Sequence, residues 1–420
     1  MIYNEENPTV KKLNNKNNAF IGNYLCTIIL LTLINNGIIN SAALQLLIYI
    51  IECIFIWKLY LKTQKQSISA FNNKKWLTIY FLLVINIVAS PYEPIYANIL
   101  KFAGYALCFS YGAIFIKRKW EIKFSPQVLI GLIIIPFLLV ALFDHTIRQN
   151  LFFINSNNYV YYGLSCALLY YTIYFKEKSA FYKSFAILLC YILSASSVGV
   201  IAAIFISIVF INRKNITLLI SILTICIVSF ILALSSDIEV FARIKNMLTL
   251  ISSLSLKDWL SIEDINLYDL QESADLISIS RDDNTSFIWR VQHWVILLKD
   301  FFTYWYYSFF FGLFDGYSTN QHSLPPHNDV LRILIEYGFI VFYFIVKWVY
   351  KAYCIFKKNK VIYLILPIML YHFTENLIDN FPANSIIYFC CGFWYYKISE
   401  LQNIHKNEKK ILTPNISSNE

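Results

Sequence analysis

The hydrophobic residues of this chain fall into long runs that are separated by short polar segments. A helix needs about 20 consecutive apolar residues to cross a bilayer. Runs of about this length recur from Phe20 onwards. They predict about twelve transmembrane helices, at roughly 20–40, 42–60, 76–91, 95–116, 126–144, 158–175, 180–195, 197–212, 216–235, 328–350, 360–378 and 382–398. The predicted fold class is therefore an all-α polytopic membrane protein.

Basic residues lie in every second connection between the predicted helices, as at Lys62 and Lys65 or Lys357 and Lys358. The short connections of the opposite set contain a single arginine, Arg148; they lie around 35–41, 90–94, 144–157, 194–197 and 377–383. Because cytoplasmic loops carry the excess of lysine and arginine, this pattern places both termini in the cytoplasm. The predicted parts are a cytoplasmic N-terminus at 1–19, about nine transmembrane helices at 20–235, a large external loop at 236–327, about three transmembrane helices at 328–398 and a cytoplasmic tail at 399–420.

Composition supports a membrane protein and excludes several other classes. The chain of 420 residues is 58% hydrophobic and 15% charged, whereas soluble domains carry about 25% charged residues. The net charge of +9 is concentrated in the connections, so we expect no nucleic-acid partner. The sequence contains no zinc-binding spacing and no glycine-rich nucleotide loop, so we expect no metal and no cofactor. A reaction would then draw its energy from an activated substrate.

The external loop changes in character along its length. Its first part, 252–286, is acidic and polar, and its second part is strongly aromatic from Phe287 onwards. Tryptophan and tyrosine favour the boundary between membrane and water, so the aromatic part predicts an interfacial helix. Arg290 and Trp294 lie in this helix. Gly312 and Gly316 predict a turn after it.

The strongest candidate chemistry follows Pro325 and Pro326, where His327 and Asn328 open the tenth predicted helix. Arg332 and Glu336 lie one helical turn apart within that helix, although ionisable groups are costly at such depth. Simpler explanations remain open for each residue. His327 could be an interfacial residue without chemistry, Asn328 a helix cap, and Arg332 with Glu336 a structural ion pair.

Other candidates carry similar alternatives. Arg290 could bind a diphosphate through its fork of donors or could merely contact lipid headgroups. Arg148, Arg243 and Arg281 fit solvated surface positions better than a site. The ionisable residues at the end of the eleventh predicted helix could line the same cavity, although a polar helix end is favoured; they are His372, Glu375 and Asp379.

This combination of features resembles the superfamily of O-antigen ligases and Wzy-type O-antigen polymerases. The resemblance rests on the predicted topology, the Arg290–Trp294 helix, the Gly312–Gly316 turn and the pattern His-Asn-x-x-Leu…Glu-x-Gly, whose members are His327, Asn328, Leu331, Glu336 and Gly338. Its close part covers roughly 287–342. Val198 stands where family members carry an arginine, and Arg148, Arg243 or Arg332 could take that role.

The resemblance implies a GT-C-like membrane glycosyltransferase acting on undecaprenyl-diphosphate-linked glycans at the periplasmic face of the bacterial inner membrane. It implies catalytic roles for His327, Arg290 and Arg332, and substrate contacts from Asn328, Glu336, Trp294 and Arg148. The partners would be the lipid-linked glycan, an acceptor glycan on a lipid-linked repeat unit or on lipid A–core, membrane lipids and a chain-length regulator protein.

Three functions stay open at this point. The first is polymerisation of the repeat units of a surface polysaccharide, such as an O-antigen or a capsule. The second is ligation of the finished glycan to lipid A–core. The third is transport of lipid-linked oligosaccharides by a flippase, although transporters often show related halves, which this sequence lacks.

Overall fold

The computed structural model describes residues 74–92, 97–117, 156–195, 198–212, 251–264, 286–322 and 325–412, together with a few isolated positions. These residues form helices, with a single 3₁₀ turn at Ile262–Asp264. The α-helices are α1 (Lys74–Val88), α2 (Ala97–Lys117), α3 (Ser156–Tyr174), α4 (Ala180–Ala195), α5 (Val198–Ile211), α6 (Leu256–Leu260), α7 (Ser286–Thr303), α8 (Trp305–Phe311), α9 (Tyr317–His322), α10 (Asp329–Phe356), α11 (Ile362–Tyr371) and α12 (Phe381–Leu412).

The prediction of about twelve transmembrane helices with a GT-C-like architecture is wrong. Within the described ranges, no helix combines the length and the apolar character that crossing a membrane requires. Several predicted spans are helical but fall short of the necessary length, since α1, α4, α5 and α11 contain 15, 16, 14 and 10 residues and a span needs about 20.

Four of the predicted spans, at 20–40, 42–60, 126–144 and 216–235, lie outside the described residues apart from isolated positions. The five-part division of the chain and the orientation inferred from basic residues stay predictions.

The core is built around α3, whose side chains are buried along most of its length. Helices α4 and α12 pack against it, and α2 packs against α12, which it approaches closely at Gly112 and Gly392. A Cβ atom at Gly112 would collide with the backbone of Phe389, so only glycine allows this contact. Trp394 is fully buried in the same core, and its indole Nε1 donates to Thr172 Oγ1 at 3.0 Å.

Helix α10 is broken at Gly338, which has a φ of 81°. The break leaves backbone carbonyls without helical partners, and neighbouring groups satisfy them. Leu313 N donates to the Ile335 carbonyl at 2.6 Å, and Asn86 Nδ2 donates to the Glu336 carbonyl at 3.0 Å. Gly312, with a φ of 73°, lies directly against this break, where a Cβ atom would strike the Glu336 carbonyl. The two glycines therefore fix the end of α8 against the first part of α10.

The aromatic segment expected to form one interfacial helix forms two, because α7 ends at Thr303 and α8 begins at Trp305. Its position at a membrane surface stays a prediction.

Candidate functional site

Most of the candidate residues contact the loop between α11 and α12, residues 372–380. Asp329, the first residue of α10, fixes its position. The Asp329 backbone N–H donates to the His372 carbonyl at 2.9 Å, and Asp329 Oδ2 accepts from Leu377 N at 2.8 Å and Ile378 N at 2.9 Å. The start of α10 and the 372–380 loop therefore form one rigid unit, on which the sites below are built.

His327 stands at the start of α10 in a constrained conformation. Its φ is 48°, a backbone region that residues other than glycine rarely adopt. Trp289 packs edge-on against the imidazole at 5.5 Å between ring centroids. Trp294 Nε1 donates to the carbonyl of Pro326, the preceding residue. Strained backbone of this kind often occurs at functional sites, and the two tryptophans hold it in place.

Asn328 caps α10, because its Oδ1 accepts from Leu331 N at 3.0 Å. The capping role was one of the two alternatives that the sequence left open. A direct contact of Asn328 with substrate stays a prediction.

Glu375 joins His327 to Arg290. Arg290 Nη1 lies 3.0 Å from Glu375 Oε1 and also donates to the Thr374 carbonyl at 2.9 Å. His327 Nδ1 lies 3.8 Å from Glu375 Oε2, and this buried nitrogen makes no hydrogen bond. The Glu375 side chain is 8% exposed, whereas those of Arg290 and His327 are 20% and 31% exposed. The carboxylate is therefore buried beneath two groups that remain accessible.

Arg332 and Glu336 are buried and paired with each other. Arg332 Nε donates to Glu336 Oε2 at 2.9 Å, and Arg332 Nη1 donates to Asp379 Oδ2 at 2.6 Å and Asn376 Oδ1 at 3.2 Å. The other oxygen of Glu336 accepts from Ser318 Oγ at 2.8 Å. This arrangement agrees with the structural alternative left open for the pair, while the catalytic role of Arg332 and the substrate contact of Glu336 stay predictions.

Asp379 forms ion pairs with Arg332 and with Lys101, a cation that the sequence analysis did not single out. Lys101 Nζ lies 2.9 Å from Asp379 Oδ1 and 3.1 Å from Asn98 Oδ1. Burial raises the pKa of the Asp379 carboxyl, but Arg332 and Lys101 outweigh that effect and hold the pKa below its usual range. Asp379 is therefore an ionised group between two cations.

His372 differs from His327 in having both ring nitrogens engaged. Its Nδ1 lies 2.5 Å from Asp329 Oδ2, and its Nε2 lies 3.1 Å from the Tyr161 hydroxyl. Tyr161 is fully buried and donates in turn to Asn384 Oδ1 at 2.5 Å. His372 thus positions Asp329.

Arg148, Arg243 and Arg281 lie outside the described residues. In the part of the chain that the structure describes, no group of three histidine, cysteine, aspartate or glutamate residues is arranged to hold a metal ion.

The comparisons with known proteins assign neither a family nor a function to the chain. No protein-family model, no curated protein and no solved structure matches the chain. The functional argument therefore rests on the residues and on their geometry.

Proposed function

We propose that this chain is a glycosyltransferase that polymerises undecaprenyl-diphosphate-linked repeat units of a bacterial surface polysaccharide. One observation carries the proposal: Glu375 brings together Arg290 of α7 and His327, which precedes α10, and the sequence motif singled out both residues. The cluster joins a guanidinium, which suits a diphosphate, to an imidazole, which suits a hydroxyl proton.

In the proposed reaction, a hydroxyl oxygen of the acceptor glycan attacks the anomeric carbon of the donor glycan. The new glycosidic bond forms as the bond from that carbon to the diphosphate oxygen breaks, and the diphosphate leaves with the electron pair. The proton of the acceptor hydroxyl passes to Nε2 of His327. Arg290 stabilises the charge that develops on the leaving diphosphate.

Glu375 is a positioning residue in this scheme. Its carboxylate faces His327 Nδ1, so a proton on that nitrogen points towards a negative charge and Nε2 is left as the base. The same carboxylate pairs with Arg290 Nη1. The Arg290 Nε–H is buried without a hydrogen-bond partner. An unpaired buried donor costs about 1–3 kcal/mol, and an oxygen of the substrate would remove that cost.

The proposal places the reaction at the periplasmic face of the bacterial inner membrane, where the lipid carrier would deliver both substrates. The partners would be the lipid-linked donor, the acceptor repeat unit, membrane lipids and a chain-length regulator. The aromatic helix α8 offers a surface for lipid, because Trp305, Tyr306 and Phe310 are 66%, 64% and 50% exposed.

The test is a strain that lacks the gene, complemented with the wild type or with Arg290→Ala, Glu375→Gln or His327→Gln. We expect a single-repeat product on a glycan gel from the deletion and from each variant. The matched control is Lys299→Ala, which removes a more exposed cation from the same helix α7.

Two outcomes of that gel would change the proposal. Full-length lipid-linked chains that are not attached to lipid A–core would replace polymerisation by ligation. Normal attached polymer in the deletion strain would refute both forms of glycan transfer.

A further inference from the structure

Two buried cations from different helices converge on one carboxylate that is only partly buried. Lys101 of α2 and Arg332 of α10 contact the two oxygens of Asp379 at 2.9 Å and 2.6 Å. The Lys101 and Arg332 side chains are 11% and 3% exposed, whereas that of Asp379 is 36% exposed. The negative partner is therefore the accessible member of the group.

A small pocket lies at this place, lined among others by Asn98, Lys101, Arg332, Tyr337 and Asp379. Two polar donors and one carboxylate thus share a concave site. Glu336, the other carboxylate on Arg332, is fully buried and hydrogen-bonded to Ser318. Of the two carboxylates, only Asp379 can move away from Arg332 without opening the core.

The two oxygens of Asp379 are bound as two oxygens of a phosphate would be, one by each cation. Buried cations without a counterion are strongly unfavourable, so a group must compensate them when no ligand is present. The Asp379 carboxylate can leave such a position by a rotation of its own side chain, because that side chain is 36% exposed.

We propose that Lys101 and Arg332 form a binding site for a phosphate group, and that the Asp379 carboxylate occupies this site until a phosphate displaces it. The ligand class is a phosphate monoester or the diphosphate of a larger substrate. The site is separate from the Arg290–Glu375–His327 cluster. Phosphate binding at this site does not depend on glycan transfer. The experiment below therefore tests it independently of the proposed function.

The experiment measures how phosphate changes the thermal stability of the purified full-length chain and of two matched variants. Asp379→Ala and Glu336→Ala each remove one carboxylate from Arg332. We expect both to melt below the wild type. Inorganic phosphate or pyrophosphate should raise the midpoint of Asp379→Ala towards that of the wild type. Neither anion should rescue Glu336→Ala, because Glu336 is fully buried.

Equilibrium dialysis with radiolabelled pyrophosphate gives the second readout. We expect Asp379→Ala to bind at least about tenfold more tightly than the wild type, because the competing carboxylate is gone. Adding Lys101→Met to that variant should abolish the gain. If Asp379→Ala does not accumulate, Asp379→Asn serves the same comparison, because it keeps the size of the side chain and removes its charge.

Sodium chloride of matched ionic strength controls for screening. The proposal is overturned if phosphate and pyrophosphate stabilise Asp379→Ala no more than the salt does, or no more than they stabilise Glu336→Ala. Equal affinity of the wild type and Asp379→Ala for pyrophosphate would also overturn it. Inorganic phosphate acting as well as pyrophosphate would assign the site to a single phosphate group.

Discussion

Replacement of Arg332 by methionine tests whether its main role is to compensate buried carboxylates. The Arg332 and Glu336 side chains are 3% and 0% exposed and their ion pair measures 2.9 Å. Removing one partner of a buried pair costs about 3–5 kcal/mol, because the other charge stays buried and unpaired. We therefore expect Arg332→Met to lose about this much free energy of unfolding.

The corresponding change in melting temperature follows from the size of the chain. An unfolding entropy of about 2.1 cal/mol/K per residue over 420 residues is about 0.9 kcal/mol/K. The melting temperature of Arg332→Met should therefore fall by about 3–6 °C, as followed by far-UV circular dichroism.

Two further variants make this measurement decisive. Lys299→Met breaks the exposed pair with Glu263, where the lysine side chain is 66% exposed, and such pairs contribute about 0–1 kcal/mol. Its melting temperature should change by about 1 °C or less. Arg332→Met combined with Glu336→Leu should recover most of the loss, since an apolar pair can replace a buried ion pair. A melting temperature for Arg332→Met within about 1 °C of the wild type would refute the reasoning.

Four other substitutions test the site and its support. His327→Gln should reduce glycan transfer by about 100- to 10,000-fold with the protein still folded and abundant; normal-length glycan from this variant would leave His327 as an orienting residue only. Arg290→Lys should restore only part of the transfer lost in Arg290→Ala, because one ammonium cannot reproduce a bidentate fork; equal polymer length from Lys and Arg would count against diphosphate binding. Asn328→Ala should cost about 1 kcal/mol of stability through loss of the cap, measured by urea denaturation, and an unchanged urea midpoint would contradict that role. Gly338→Ala should cost at least about 1–3 kcal/mol by the same method, since its φ is 81° and a Cβ would strike the backbone of Gly312; a stable variant would mean that α10 can straighten there.

Sequence patterns predicted the positions of the helices in this chain better than they predicted what surrounds each helix. Predicted segments such as 180–195 and 197–212 lie within one or two residues of α4 and α5, because apolar runs and their polar boundaries are local properties. Whether a helix faces lipid or other helices depends on tertiary packing, which a run of apolar residues does not reveal. The hydrophobic surface of α3 is covered by protein, and this covering could not be predicted from its own residues.

The candidate site was predictable only in part for a similar reason. His327 and Arg290 were found because each belongs to a local motif. Glu375 lacks such a motif, and its role becomes visible only when Arg290, distant in sequence, contacts it. Lys101 was missed altogether, because its partner Asp379 lies 278 positions away. A lysine inside an apolar run was the available signal, since such a charge needs a buried partner.

The contacts of the 372–380 loop impose an order on folding during synthesis. Lys101, Arg290 and Arg332 all leave the ribosome before the carboxylates that pair with them through this loop. Lys101 precedes Asp379 by 278 positions, which at about 5–20 residues per second is a delay of about 14–56 s. During this interval the nascent helices carry cations that cannot yet be buried with their partners. A chain that ends within α11 would lack both Glu375 and Asp379, which leaves Lys101 and Arg290 without these carboxylates and Arg332 with Glu336 alone. Premature termination in α11 should therefore yield a protein that quality-control proteases remove rather than a partly active one.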